Sequence, residues 1–377
     1  MSEFNISQKK VSDLQKRYEV KTNERELKNF LKSFAFLVLA LMSVYHFYAS
    51  GFGTIREILH RGIHISFVVG LVFIFYSWKK IDHSKKNFNT PLIDIILSIL
   101  VVISALYLPL LPPEVLAPRV GNPENIDIIM GSFLIVLTLE AARRSIGFTL
   151  PFICVLFILF AIFGPYFPGA LKHGGASWVG FVNHIYLTNQ GIYGIAVGVM
   201  AQYVFLFILF GVLATRIGLG QLFIDLAMVI AGKYSGGPAK VAIFSSAFLG
   251  TISGSSIANT VTTGSLTIPA MKKVGYPPHF SGAVEATAST GGQITPPILG
   301  AAAFIMVEYL EVPLRDILAA ALIPALLHYF GIFIMVHLEA KKLGLRGLTD
   351  EEVPKFLSVI KDNWLSLAPL ILSLIHI

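Results

Sequence analysis

The sequence predicts an all-α polytopic membrane protein that carries a re-entrant hairpin and a broken helix. Three observations predict it. Of 377 residues, 55% are hydrophobic and 14% charged, against about 25% charged in a typical soluble domain. Mean hydropathy is +0.72, more apolar surface than a soluble domain can hide. Between Val241 and Val307 the only charged side chains are Lys272, Lys273 and Glu285, yet Gly, Pro, Ser, Thr and Asn interrupt the apolar runs. In a bilayer, irregular backbone survives only where protein buries it or it lines a hydrated cavity. The net charge of +7 does not argue for nucleic acid, because the basic residues cluster beside apolar segments, where orientation explains them. Cys154, the single cysteine, lies in an apolar run and reads as a buried inert thiol.

Residues 1–29 are polar and charged and read as a cytoplasmic N-terminal arm with helical potential. Spans are expected at about 31–49, 62–78, 91–111 and 126–142, giving a four-helix membrane region over 30–142. Arg56 and Arg61 fall in the first connection. Trp78 with Lys79 and Lys80 makes an interfacial anchor, and Lys85 and Lys86 add charge to that loop. Pro91 opens the third span, Pro112-Pro113 close it, and Arg143-Arg144 end the fourth. The basic residues put the N-terminus, the 79–90 loop and Arg143-Arg144 inside, leaving Arg56, Arg61 and Arg119 outside.

A fifth span is expected at about 145–163, followed by a long loop from Gly164 to Gln190. Such loops are usually functional or hold hidden structure. Trp178, Val182, Ile185 and Tyr186 recur at helical spacing, so a short interfacial helix on the outer surface is expected, serving as an anchor or as a docking surface. The sixth span, about 191–215, carries Gly191, Gly194 and Gly198 for close helix packing. A shorter apolar helix follows at 221–231, and a span containing Pro324 at 314–338. After a polar connection at 341–363 the last apolar run stops at Ile377, partway through a helix, as in a truncated chain.

The chemistry concentrates from Gly236 to Glu308. Ala239–Ile252 is about 14 residues, roughly 21 Å, less than the ~30 Å hydrocarbon core. Val261–Met271 is shorter still, so the two make a hairpin with a polar tip at Ser253–Thr260. A second unit, about 279–309, is broken at Gly291–Pro297, where both prolines deny helical pairing to the carbonyls before them. The carbonyls near Gly291, Gly292, Ile294 and Pro296 join the hydroxyls of Ser253, Ser255, Ser256 and Thr295 and the Asn259 amide oxygen as hard ligands. With little net protein charge these suit sodium, since magnesium or calcium would usually want carboxylates. Half-helix N-termini aimed inward favour an anionic substrate. Plain packing through small residues is the competing explanation. Thr260, Glu285 and Gln293 are candidates for substrate binding or coupling, because an intramembrane carboxylate is functional by default. No cofactor is expected beyond sodium as coupling ion.

SGSSIANTVTTGSLTIPAMKKVGYPP followed by AVEATASTGGQITPPILGAAAFIMVEYL resembles the large membrane subunit of tripartite ATP-independent periplasmic (TRAP) transporters. GGQITPP is similar to the fused permeases that work with TAXI-type binding proteins. Motif support runs from RRSIGFTLP onward over 143–375, so residues 143–377 read as the first part of a large-subunit-like transport domain. The first four spans occupy the place of a fused small subunit. The resemblance implies an inverted-repeat, elevator-type fold, here represented by its first half. It implies sodium-gradient-driven uptake of an organic acid or other carboxylate, delivered by an extracytoplasmic binding protein across a bacterial inner membrane. The hairpin tip at Ser253–Thr260 and the break at Gly291–Pro297 correspond to the family's sodium site.

Other readings compete. A structural or scaffold subunit fits the first four helices. An intramembrane enzyme is not supported, for the chain has no G-x-S-x-G, H-E-x-x-H or Walker A pattern. His60 and His64 have the spacing of a helical metal pair, but Glu57 is the only further ligand nearby, so no metal site other than sodium is expected.

Overall fold

The computed structural model describes residues 23–25, 27, 29–53, 56–80, 91–361, 363–364 and 366. Regular structure among them is helical, apart from one isolated bridge between Glu24 and Tyr76. Six helices are long and apolar enough to cross a membrane. Most of the expected arm, the loop lysines Lys85 and Lys86, and the terminal run from residue 367 lie outside the described residues. The chain divides into two compact units after Gly198.

The first unit contains α1 (Asn29–Phe52), α2 (Glu57–Phe75), α3 (Leu92–Leu110), α4 (Asn125–Ile146), α5 (Thr149–Ile162) and α6 (Trp178–Val182). α4 opens on a capping box between Glu124 and Asp127, and carries Arg143 and Arg144 in its last turn. α2 and α3 pack closely at Gly62, where a Cβ would lie 2.7 Å from the Pro109 ring. Pro109 sits inside α3 and cannot donate to the carbonyl of Ala105. The Tyr193 hydroxyl donates to that carbonyl instead, at 2.9 Å. Arg56 serves the other end of the same disruption, donating to the Pro109 carbonyl at 2.7 Å and the Leu111 carbonyl at 3.0 Å.

A clasp closes the opposite end of these helices. Asn23–Arg25 run antiparallel to Tyr76-Ser77, with Arg25 N–H on the Phe75 carbonyl at 2.8 Å and Ser77 N–H on the Asn23 carbonyl at 2.7 Å. The buried Asp94 is held between two arginines, Arg25 and Arg144, the latter at 2.8 Å. Arg144 also pairs with Glu140 at 2.7 Å.

Several expected boundaries shift. α2 covers Glu57–Phe75 rather than 62–78, because Tyr76 turns extended to pair with the arm, leaving Trp78 beyond the helix. Arg61 is therefore no loop residue; it is buried on α2, paired with Glu57 and donating to the Tyr193 carbonyl at 2.7 Å. α5 has 14 residues rather than a full span, cut short between Gly147, at φ +96°, and the turn Gly164–Tyr166. The loop after it does hold structure, α6 and a wide turn at Asn183–Leu187. It does not simply lie on the surface. Val182 and Tyr186 are fully buried and press on Gly131 of α4, while Trp178 donates to the Ser132 hydroxyl at 2.9 Å.

The second unit follows α7 (Ile195–Arg216), within which the division falls. Gly191 and Gly194 precede this helix in a turn, and only Gly198 lies on it, giving room to Arg61. Then come α8 (Leu219–Ala231), α9 (Gly237–Ser253), α10 (Ser256–Lys273), α11 (Pro278–Thr290), α12 (Ala301–Leu310) and α13 (Leu314–Lys342). The core of the unit lies where Ala242, Ile243, Met271, Val284, Ala288 and Val336 meet between α9, α10, α11 and α13. Lys233 pairs with Asp350 at 2.6 Å, Lys273 with Glu352 at 3.6 Å and Arg346 with Glu352 at 3.8 Å. These pairs place the hairpin base and the segment after α13 on one aqueous face.

Candidate functional site

α9 and α10 form the expected hairpin, with 17 and 18 residues. At 1.5 Å per residue that is about 26 Å, still short of a ~30 Å core. The tip is tighter than expected. Only Gly254 and Ser255 are non-helical, and Ile257–Thr260 belong to α10. Ser255 explains this: its hydroxyl accepts from the Ala258 N–H at 3.3 Å and starts the helix early. Gly254 has φ +56°, and a Cβ there would lie 1.9 Å from the Leu299 carbonyl oxygen, so both conformation and space require glycine.

α11 stops at Thr290, a tight turn covers Gly291–Gln293, and irregular backbone continues to Gly300, three residues past the expected break. Pro296 and Pro297 are joined by a cis peptide bond. Pro297 cannot donate to the Gln293 carbonyl, which the Gly300 N–H takes at 2.7 Å. Pro296 likewise offers no N–H to the Gly292 carbonyl. The broken segment lies directly against α9, since a Cβ on Gly250 would be 2.6 Å from the Gly292 Cα.

The predicted site residues separate into two groups. Asn259, Gly292 and Thr295 converge beside Gly250. Asn259 is fully buried, and its amide nitrogen donates to the Ser246 carbonyl at 2.9 Å. That bond fixes the amide, leaving Oδ1 as a buried acceptor without a protein partner. The Ser253 hydroxyl is also buried and unpartnered. The Thr295 hydroxyl donates to the Gly291 carbonyl at 2.7 Å and stands 3.1 Å from the Tyr329 hydroxyl. The remaining residues are used locally or turned outward. Ser256 accepts from the Gln293 amide at 3.0 Å, Thr260 donates to the Ser256 carbonyl at 2.8 Å, and the Ile294 side chain is exposed.

Glu285 is fully buried beside this group and shares Ser246 and Thr263 with Asn259 as hydrogen-bond partners. It accepts from Thr263 and Thr267 of α10, from Ser289 at 3.1 Å and from Ser246 at 3.4 Å. Gly264 makes the room, for a Cβ there would lie 2.9 Å from the Glu285 Cγ. Sequence reasoning named Glu285 but missed Ser246, Thr263, Thr267 and Ser289. The signal was present as i,i+4 pairs, Thr263 with Thr267 and Glu285 with Ser289, which put polar groups on one face of each helix. In the first unit, His60 and His64 meet a third histidine, His46 of α1, which stands 2.9 Å from His64; the Tyr45 hydroxyl is 3.0 Å from His60.

Known proteins resemble part of this chain. The chain is 30% identical over 172 residues to the isethionate TRAP transporter permease protein DctMQ of Oleidesulfovibrio alaskensis, covering 44% of the chain and 26% of that protein. It is 29% identical over 162 residues to the C4-dicarboxylate TRAP transporter large permease protein DctM of Pseudomonas aeruginosa, covering 42% and 37%. It is 26% identical over 167 residues to the sialic acid TRAP transporter permease protein SiaT of Haemophilus influenzae, covering 44% and 27%. The matched region thus spans well under half the length of each relative. Residues 133–377 match the family described as "Tripartite ATP-independent periplasmic transporter, DctM component". With apolar helices crossing a membrane several times and a match over most of its length, the chain belongs to that family of bacterial inner-membrane TRAP permeases.

Proposed function

We propose that this chain is a membrane subunit of a sodium-gradient-driven secondary transporter, taking up a small organic anion that an extracytoplasmic binding protein delivers. The observation that carries the reading is the orphaned Asn259 amide oxygen, buried where the hairpin meets the broken helix. A buried acceptor without a donor is costly, and a bound cation removes that cost. Neutral oxygens favour a monovalent ion over magnesium or calcium, which usually take carboxylates. The Thr295 hydroxyl and the Gly292 carbonyl, denied its helical donor by Pro296, are the other oxygens of the set. The substrate class follows from the relatives, whose names specify isethionate, C4-dicarboxylate and sialic acid, all anions. On this reading residues 30–142 act as a fused small subunit, and the hairpin and broken helix form the first half of an inverted-repeat, elevator-type transport domain. GGQITPP supports the TAXI type, and Arg143-Arg144 and Lys79-Lys80 support a cytoplasmic N-terminus.

The test is thermal unfolding in detergent, in sodium against choline at equal ionic strength. At 100 times its dissociation constant a bound ion adds about 2.7 kcal/mol. A sodium-specific rise in the chain that Asn259→Ala abolishes is the expected result. Equal melting in both salts rejects this sodium site.

A further inference from the structure

The turn KYSGGPAK leads from α8 into α9 and sets basic and aromatic groups beside the start of a 17-residue helix. That start lies on the aqueous face of the unit, for the Ser235 hydroxyl donates to the Leu345 carbonyl of the segment after α13 at 2.9 Å. Gly236, at φ +70°, is the N-cap and brings no side chain to the first turn. Lys240, one turn on, is only 2% exposed. Helical side chains lean back over the turn before their own Cα, so this ammonium serves the helix start. It donates to Nδ1 of His337 on α13 at 3.0 Å. It also lies 5.7 Å from the Tyr234 ring centroid and 5.2 Å from that of Phe333.

Donors converge here. An ammonium only donates, so His337 Nδ1 accepts and the ring proton sits on Nε2. Lys341, one turn further along α13, acts by its charge on both Lys240 and His337. Among the described residues neither Lys240 nor Lys341 is in an ion pair. Tyr276, in the turn after α10, is 2% exposed, and its hydroxyl is buried without a hydrogen-bond partner. That hydroxyl is aimed at the helix start, since a Cβ on Gly236 would lie 2.3 Å from it. The acid nearby is Glu339, whose charge acts on Tyr276 and which faces Lys342 at 3.5 Å.

Two lysines, an imidazole N–H and an orphaned hydroxyl thus surround a helix N-terminus, and the group lacks an acceptor. Leaving such groups buried and unanswered is costly, and an anion at the positive end of the helix removes the cost. The donors arrive from α9, from α13 and from the turn after α10, which suits the several oxygens of a tetrahedral oxyanion better than a single-atom halide. Tyr234 and Lys341 are exposed, so one side of the group meets water.

We propose that the start of α9 is a phosphate-binding site, in which Lys240, Lys341, His337 Nε2–H and the Tyr276 hydroxyl hold one phosphate group, carried by a phospholipid headgroup or free in solution. The bound group links the hairpin base to α13. It shares no hydrogen-bond partner with Asn259, Thr295 or Glu285, so the site does not depend on the sodium reading.

The experiment is thermal unfolding of the full chain in detergent at constant sodium and ionic strength. One arm adds inorganic phosphate in place of chloride, at concentrations too low for general salt stabilisation. The other adds phosphatidylglycerol in place of an uncharged diacylglycerol. A saturable rise in melting temperature is expected in at least one arm. A rise with inorganic phosphate identifies a free anion, and a rise with the phospholipid alone identifies the headgroup. Lys240→Gln should abolish the rise. Tyr276→Phe should melt no lower than the parent chain without phosphate, since its hydroxyl has no partner to lose. It should bind phosphate about tenfold more weakly or worse, the value of one hydrogen bond to a charged group. If Lys240→Gln does not fold, Tyr276→Phe alone carries the assignment. No rise in either arm, or the same rise in the parent chain and in either variant, overturns the proposal.

Discussion

Gly250 tests the candidate site at the level of single atoms. A Cβ there meets backbone, the Gly292 Cα at 2.6 Å, and backbone cannot rotate away. Gly250→Ala is expected to destabilise the chain by about 1–3 kcal/mol and to abolish any sodium-dependent rise in melting temperature. Gly282→Ala on α11 is the control, since nothing lies within 4 Å of a Cβ there. Helix propensity alone predicts a gain of up to about 1 kcal/mol for it. Both are read by thermal unfolding in detergent. At this scale the sequence revealed Asn259, Gly292, Thr295 and Glu285 through their polarity in an apolar context. It did not reveal Ser246, Thr263, Thr267 or Ser289 as partners of Glu285, because hydroxyls are ordinary in membrane helices and only packing shows that four of them share one carboxyl. Nor could it show that Ser255 spends its hydroxyl capping α10.

Helices in a membrane gain little from burial against one another, so contacts between elements rest on shape and hydrogen bonds. The Pro109–Tyr193 relation isolates one such bond. Tyr193→Phe should cost about 1–3 kcal/mol by leaving the Ala105 carbonyl buried and unpaired. In a Pro109→Ala background the new N–H serves that carbonyl, and the same substitution should cost measurably less. A double-mutant cycle by unfolding in detergent checks the difference, expected at roughly 1 kcal/mol within the usual range of such couplings. Helix existence was largely legible in the sequence, because long apolar runs and flanking prolines are local signals. Boundaries set by distant partners were not. α2 ends early because Tyr76 pairs with Asn23–Arg25, about fifty residues away in the chain. The burial of Val182 and Tyr186 follows from the small Gly131 opposite them, which periodicity alone does not show.

Across the molecule, the aqueous face of the second unit sets an expectation for pH. A hydrogen bond from Lys233 holds the Asp350 carboxyl below its usual range, and the Thr349 backbone N–H leads in doing the same for Glu352. Lowered folded-state values mean that the stabilisation is present above the ordinary carboxylate range and lost as pH falls through the folded-state values. Ordinary values are about 4, so these pairs should keep the segment after α13 docked at neutral pH and release it only in stronger acid. Hydrogen exchange over residues 344–353 checks this, and increased exchange between neutral pH and about pH 5 would contradict it. The fold class was legible at this scale from composition. The division of the chain after Gly198 was not, because it depends on which helices α6 and Tyr193 pack against.

The contact of Gly250 with Gly292 also fixes where this unit can bend. Two backbones in direct contact cannot slip past each other by part of a turn, so the hairpin tip and the break act as one rigid block. Bending belongs instead to the joints that flank the block, at Gly275, with φ +111°, and at Glu311, with φ +54°.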